Sequence, residues 1–208
     1  MADGVVLAFQ IQSSGGSRTE AIAISSFVIA GWTGRDRMKM EQHIRELEAL
    51  GVKRPAQTPI VYRAAAARLM PANEIEATGG ASSAEVEYTL LRHQGRILVG
   101  LGSDHTDRQV ETYGITVSKQ MCDKPVAAIL WEYADVRDHW DRLQLRSWIV
   151  ENGDETIYQE GEVAAMLRCA DAGRAGERLV SGRHRHAVRH AAGAGRDQAV
   201  RIRPDGTA

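Results

Sequence analysis

Two carboxylates one residue apart, Glu85 and Glu87 in Ala84-Glu85-Val86-Glu87-Tyr88, are the first candidates for chemistry in this chain. If the stretch is a strand, its period of two turns both acids to one face and Ala84, Val86 and Tyr88 to the other. Their Cα atoms then lie ~7 Å apart, a spacing from which two carboxylates converge on one hard divalent cation such as Mg2+ or Mn2+. Glu74-Ile75-Glu76 repeats the spacing, and a solvated strand face is the plain alternative for either pair. The first pair has a context. Residues 96–102 read as the next strand, ending in Ser103-Asp104-His105-Thr106-Asp107-Arg108 where it returns beside Glu85 and Glu87. Asp104, nearest the strand end, is the candidate third ligand, and Asp107 reads as a helix start. The alternative is that Asp104 and Thr106 cap the turn.

A second constellation is His43 and Glu46, three residues apart between Met40 and Leu47. On a helix they share a face, and a histidine oriented by a carboxylate is a general base for water; a solvent-facing or packed imidazole is the competing reading. Cys122 has no metal-ligand spacing to another cysteine and reads as a small packed thiol.

These residues need elements to hold them. Residues 5–12 and 20–32 are rich in Val, Ile and Phe around Ser13-Ser14-Gly15-Gly16-Ser17, which predicts two strands and a turn. Met40, Ile44 and Leu47 predict one helix over residues 35–50, stopped by Gly51. Pro55 and Pro59 hold an extended link into residues 60–70, after which Gly79-Gly80 opens a hairpin of residues 84–92 and 96–102 around His93-Gln94-Gly95. Residues 107–113 suit a short helix, 126–133 suit either state, and 140–150 with 156–158 read as strands. The sum is an α+β domain weighted toward β, without the alternating units of a doubly wound sheet.

Composition bounds the function. The chain has 208 residues, 43% hydrophobic and 25% charged, with 26 basic against 27 acidic side chains, which is the range of soluble globular domains. The longest apolar stretch, residues 21–32, is too short to cross a bilayer that needs ~20 apolar residues. Met1-Ala2-Asp3-Gly4 has no cationic start and two cysteines make no disulfide framework, so a reducing cytoplasm is expected. The charge is unevenly spread. Residues 168–208 hold nine Arg and four acids, leaving 17 basic and 23 acidic groups in residues 1–167.

Residues 1–167 are therefore read as the folded body, the domain that would carry any chemistry, and 168–208 as a poorly ordered Arg/Ala/Gly tail with too little apolar surface to offset its ordering entropy. Its Arg-His-Arg-His run has no stacking aromatics, which disfavours nucleic-acid binding. The change of composition near Leu167 also suits a shifted reading frame, since residues 185–191 read one nucleotide later permit Ala-Met-Leu-Cys-Gly-Thr.

The pieces occur in an order that resembles the fumarylacetoacetate hydrolase superfamily: His43-Ile44-Arg45-Glu46, Pro55 and Pro59, Tyr62-Arg63, Glu85-Val86-Glu87, Asp104-His105-Thr106-Asp107-Arg108, then Lys119. Gly102 to Arg108 with Val117-Ser118-Lys119-Gln120-Met121-Cys122 further resembles an uncharacterised bacterial family attached to it. The resemblance spans about residues 20–165 and favours Glu85 and Glu87 over Glu74 and Glu76. It implies a β-rich fold of mixed sheets with few helices, and Glu85, Glu87 and Asp104 as ligands of Mg2+ or Mn2+. His43 and Glu46 become a water-activating dyad on a lid-like helix, Lys119 a stabiliser of negative charge, and Arg63, Thr106 and Arg108 substrate contacts.

The implied reaction is hydrolytic cleavage of a carbon-carbon bond in a small β-dicarbonyl or acylpyruvate-like keto acid by a homodimer. Decarboxylation, hydration or isomerisation on the same scaffold, or a noncatalytic member truncated at its C-terminus, are the alternatives. The sequence departs from the superfamily in the short stretch from Glu87 to Asp104, in Arg63 where Lys is usual, and in lacking a late Gly-Thr pair.

Overall fold

The computed structural model describes residues 4–49, 54–83, 85–167, 179–182 and 200–201, with the backbone alone for the last two segments and for Leu47. The start folds as a hairpin of β1 (Val5–Ser13) and β2 (Gly16–Ile24), in register from Val5 opposite Ile24 to Ser13 opposite Gly16. Alternation sets its inner face, which buries Leu7, Phe9 and Ile11 with Ile22 and Ile24. The strand expected over residues 20–32 is in fact two, broken at Ser25-Ser26. β3 (Phe27–Gly31) is buried at every position and pairs elsewhere, because a continuous apolar run must be covered on both faces whereas an alternating one keeps a face in water.

The expected helix is α1 (Arg37–Ala49). Asp36 Oδ1 caps it, accepting from the Met38 and Lys39 amides at 3.0 and 3.1 Å. Ile44 is buried against the body, and the Gly51 stop lies outside the described residues. β4 (Ile60–Ala64), β5 (Leu69–Met70) and β6 (Glu74–Ile75) lead to the hairpin of β7 (Val86–His93) and β8 (Arg96–Ser103). Gln94 and Gly95 both have positive φ, 48° and 76°, the geometry of a two-residue turn whose twist matches the strands.

The helix expected at residues 107–113 is α2 (Arg108–Glu111). A second, α3 (Ile115–Met121), is unexpected because Ile115, Thr116 and Val117 are weak helix formers. The ambiguous stretch is β9 (Lys124–Glu132). After α4 (Tyr133–Val136) the predicted strand over 140–150 starts late: Trp140 sits in a 3-10 turn, Arg137–Arg142, and β10 (Gln144–Glu151) follows, paired with β11 (Asp154–Glu162). Of residues 168–208, read as an appendage, β12 (Leu179–Gly182) and β13 (Val200–Arg201) are described; the rest lie outside the described residues.

The main sheet runs β2-β1-β9-β8-β7-β12-β3-β4, with β5 beside β9, and mixes parallel (β1 with β9, β12 with β3) and antiparallel pairs. It is the β-rich mixed architecture expected. One face of the β7–β8 hairpin turns Leu91 and Leu98 into the core shared with β1, β2, β3 and β9. The other packs Val86, Tyr88, Leu90 and Val99 against Trp140, Leu145, Val163 and Met166, with Tyr88 edge-on to Trp140 at a centroid distance of 5.1 Å. The Gln159 side chain completes the ladder there, accepting from the Val86 amide at 2.9 Å and donating to its carbonyl at 3.0 Å. β7 is thus covered on both faces.

The turn end of this hairpin is held by ions. Arg96 donates to both oxygens of Glu20 (2.9 and 3.1 Å) and to Glu132 (3.0 Å), and Arg18 spans the same two acids at 2.6 and 2.7 Å. Arg96, then Arg18, hold the Glu20 carboxyl down at about 2 from its ordinary 4.5. A lowered folded-state value means the contribution is complete above pH 4.5 and is lost as pH falls through about 2. Glu20→Gln should therefore lower the melting temperature by about 2 °C at neutral pH. Thermal melts should show the difference closing as the pH is lowered across that window.

A buried carboxylate cluster as the candidate active site

The register of the β7–β8 hairpin builds the site. Val86 pairs with Ser103 and Glu87 with Gly102, and one step further the Asp104 amide donates to the Glu85 carbonyl at 3.0 Å. Residues directly opposite in an antiparallel pair share a face, so Glu85, Glu87 and Asp104 project together. All are buried, at 5%, 1% and 1% exposure. Gly102 has no side chain to intrude, and none would fit: a Cβ there would lie 2.7 Å from Thr89 Cγ2 and 3.1 Å from the Pro125 carbonyl oxygen. That glycine lets the start of β9 pair closely alongside β8.

Three carboxylates removed from water cost several kcal/mol each unless paired, and three cations lie against Glu85 and Asp104. Arg108, opening α2, donates to Glu85 Oε1 at 2.7 Å and to Glu111 Oε2 at 2.7 Å. Lys119 on α3, itself 1% exposed, donates to Asp104 Oδ2 and lies 5.5 Å from the centre of the Tyr62 ring. Lys124, the first residue of β9 and equally buried, stands 3.2 Å from Asp104 Oδ1 and donates to the His105 carbonyl. Sequence reasoning missed Lys124. Its signal was a charge at the entrance of the apolar run Pro125-Val126-Ala127-Ala128-Ile129-Leu130.

The turn after Asp104 is braced from within. Thr106, fully buried, donates its hydroxyl to the Asp104 carbonyl at 2.8 Å, and its amide donates to Ser83 Oγ at 3.2 Å. The hydroxyl proposed for substrate thus serves the backbone here. Burial pushes the His105 imidazole below its ordinary value, so it is neutral at pH 7. Because the Asp123 carbonyl 3.1 Å from Nδ1 can only accept, Nδ1 carries the proton and Nε2 accepts from the Ser82 hydroxyl, also at 3.1 Å. Asp107 caps α2 by accepting from the Val110 amide at 2.9 Å, the helix-start role read from its position. The buried Cys122 thiol accepts from the Asp107 amide at 3.3 Å.

The other candidates have other surroundings. His43 Nδ1 lies 3.5 Å from Glu46 Oε2 and its ring 5.9 Å from that of Trp32. Among the described residues, neither His43 nor Glu46 has a hydrogen bond or ion pair to Glu85, Glu87 or Asp104. His43 Nε2 is buried and has no hydrogen-bond partner there. Arg63 is exposed on β4, whose alternation turns Tyr62 and Ala64 inward instead. Glu74 and Glu76 are exposed, the solvated face that was their plain alternative.

Whether these residues suit a divalent cation is a matter of donors and of closure. The donors fit: carboxylate oxygens are what Mg2+ and Mn2+ prefer, and the three are buried on one face. No group of three acids, His or Cys among the described residues closes to a metal-holding arrangement. The reason is visible in the ion pairs, since Asp104 turns to Lys119 and Lys124 and Glu85 to Arg108. The chain's own cations take carboxylate oxygens that a metal ion would need.

Comparisons with known proteins agree with this architecture. A family model described as "Protein of unknown function (DUF2848)" matches residues 30–190. No curated protein matches the chain in sequence. Among solved structures, a fumarylpyruvate hydrolase from Pseudomonas aeruginosa in complex with Mn2+ and pyruvate is similar at 13% identity, with a TM-score of 0.55 over 97% of this chain and 98% of that one. A 2-keto-3-deoxyarabinonate dehydratase is similar at 14% identity, with a TM-score of 0.58 over 88% of this chain and 72% of that one. A candidate fumarylpyruvate hydrolase from Burkholderia cenocepacia gives 15% identity and a TM-score of 0.57 over 96% and 91%. The fold is therefore that of the fumarylacetoacetate hydrolase superfamily.

The ion pairs carry a stability prediction. Asp104→Asn leaves two buried ammonium groups facing a neutral amide and should destabilise the chain by about 3–5 kcal/mol in urea unfolding. Adding Lys119→Met and Lys124→Met to it should recover a large part, since apolar groups need no counterion.

Proposed function

The chain belongs to the family described as "Protein of unknown function (DUF2848)", a membership that brings no activity with it, and we propose that it is a divalent-metal-dependent hydrolase of a small keto acid. The bond cleaved is a carbon-carbon bond in a β-dicarbonyl or acylpyruvate-like acid. The observation that carries the reading is the burial of Glu85, Glu87 and Asp104 on one face of a single hairpin end. Carboxylate oxygens gathered on one face are the donor set that Mg2+ and Mn2+ prefer. The Pseudomonas aeruginosa protein of the same fold holds Mn2+ and pyruvate, which supports a hard cation and a keto acid as the ligands here.

Glu85, Glu87 and Asp104 would hold Mg2+ or Mn2+, which when bound supplies a Lewis acid for the oxygens of the keto acid. The chain's own residues do the rest. The Glu46 carboxylate beside Nδ1 orients the His43 ring, leaving Nε2 to take a proton from water as it attacks the distal carbonyl, help worth ~10² to 10⁴-fold. Ile44 is buried, and most other described side chains of α1 are exposed or half-buried; in this reading the helix carries the base to the substrate. Lys119 faces the charge that develops on cleavage. Arg108 fixes Glu85 from the far side through its fork to Glu111 and so sets the position of that ligand.

One observation favours a second reading. His43 makes no hydrogen bond or ion pair to the carboxylates, and a dehydratase shares the fold. Decarboxylation, hydration or isomerisation of a keto acid needs the cation and the carboxylates but no attack of water on a carbonyl.

The test is turnover of a panel of acylpyruvates and oxaloacetate with Mg2+ or Mn2+. The hydrolase reading expects acylpyruvate cleavage to fall at least ~10²-fold in both His43→Ala and Glu87→Gln. Loss in Glu87→Gln with full turnover in His43→Ala would select the second reading. Turnover untouched by either change would reject the site.

A further inference from the structure

Asp104 has two ammonium neighbours where one would neutralise it, and the two are not equivalent. Lys119 reaches Oδ2 from a helix and rests near the Tyr62 ring. Lys124 approaches Oδ1 from the first position of a strand and has a second acceptor, the His105 carbonyl. Lys124 can give up Asp104 Oδ1 and still keep a hydrogen bond. Asp104 and Lys124 also line, with Thr89, Ser103, Phe27 and Ile29, a cavity of about 10 Å3, room for about one water molecule. Packing beside the ammonium and the carboxylate is therefore incomplete.

Resting on the metal reading above, we propose that Lys124 is a built-in competitor for the divalent cation at Asp104. In the metal-free chain its charge holds the oxygen that the cation takes. The cation binds by displacing it, and Lys124 stays on the His105 carbonyl. Two cations on one carboxylate repel each other, so Lys124 keeps the metal site weaker than its three acids alone would make it. It is a positioning residue, acting on the metal through Asp104.

The experiment is calorimetric titration of Mn2+ alone into the full chain, its Lys124→Gln and Lys124→Met variants, and Glu87→Gln, with circular dichroism to confirm that each folds. Lys124→Gln removes the charge and keeps a donor for the His105 carbonyl. It should bind Mn2+ roughly tenfold or more tighter than the unaltered chain, with Lys124→Met moving the same way, whereas Glu87→Gln should bind more weakly. A merely structural role for Lys124 predicts weaker or unchanged binding in its variants. That result, with Glu87→Gln weakened, would overturn the competitor and leave the metal reading standing. No Mn2+ binding by the unaltered chain or by either Lys124 variant would overturn both. If Lys124→Met does not fold, Lys124→Gln alone decides by the same criterion.

Discussion

Carboxylates buried beneath a covered strand must be neutralised from close by, and the rest of this structure follows from that constraint. Glu85, Glu87 and Asp104 lie buried on one face of the hairpin, beside the start of β9, and Trp140, Leu145 and Met166 close the other face. Water cannot do the neutralising. The compensating charges arrive from α2, α3 and the start of β9, so two short helices of little packing value of their own are held by ion pairs to the sheet. A helix of four residues such as α2 would not persist in isolation. Here the Asp107 cap and the Arg108 fork hold it in place.

The same constraint explains the polar brace behind Asp104. A carboxylate with two cations on it has its direction fixed only if its backbone is fixed as well. Thr106, Ser83, His105 and Ser82 spend their hydrogen-bonding groups on that turn. A neutral imidazole suits this task beside two ammonium groups, because a charged one would add to the repulsion.

Much of this was legible from residue order. The alternation of β1, the α1 periodicity, the Gln94-Gly95 turn and the pairing of Glu85 with Asp104 across the hairpin follow from local chemistry that the fold does not override. What escaped had non-local causes. β2 and β3 looked like one strand because nothing in residues 20–32 tells that the second half is covered twice. α3 went unseen because its β-branched start argues against a helix, and only Lys119 and Ser118 at its buried end explain it. Lys124 was passed over because a lysine before an apolar strand reads as a solvated boundary. Its burial is decided by Asp104, twenty residues earlier. The dyad of His43 and Glu46 is local again, since their spacing on one helix predicts their mutual approach.

The place of β12 has a consequence for synthesis. Its residues 179–182 lie between β7 and β3, antiparallel to one and parallel to the other, although both neighbours are complete by residue 93. A growing chain therefore carries two unsatisfied strand edges through the translation of nearly ninety further residues, a long interval in which another nascent copy can pair with them. The ribosome must release the last part of the sheet before its middle can shut.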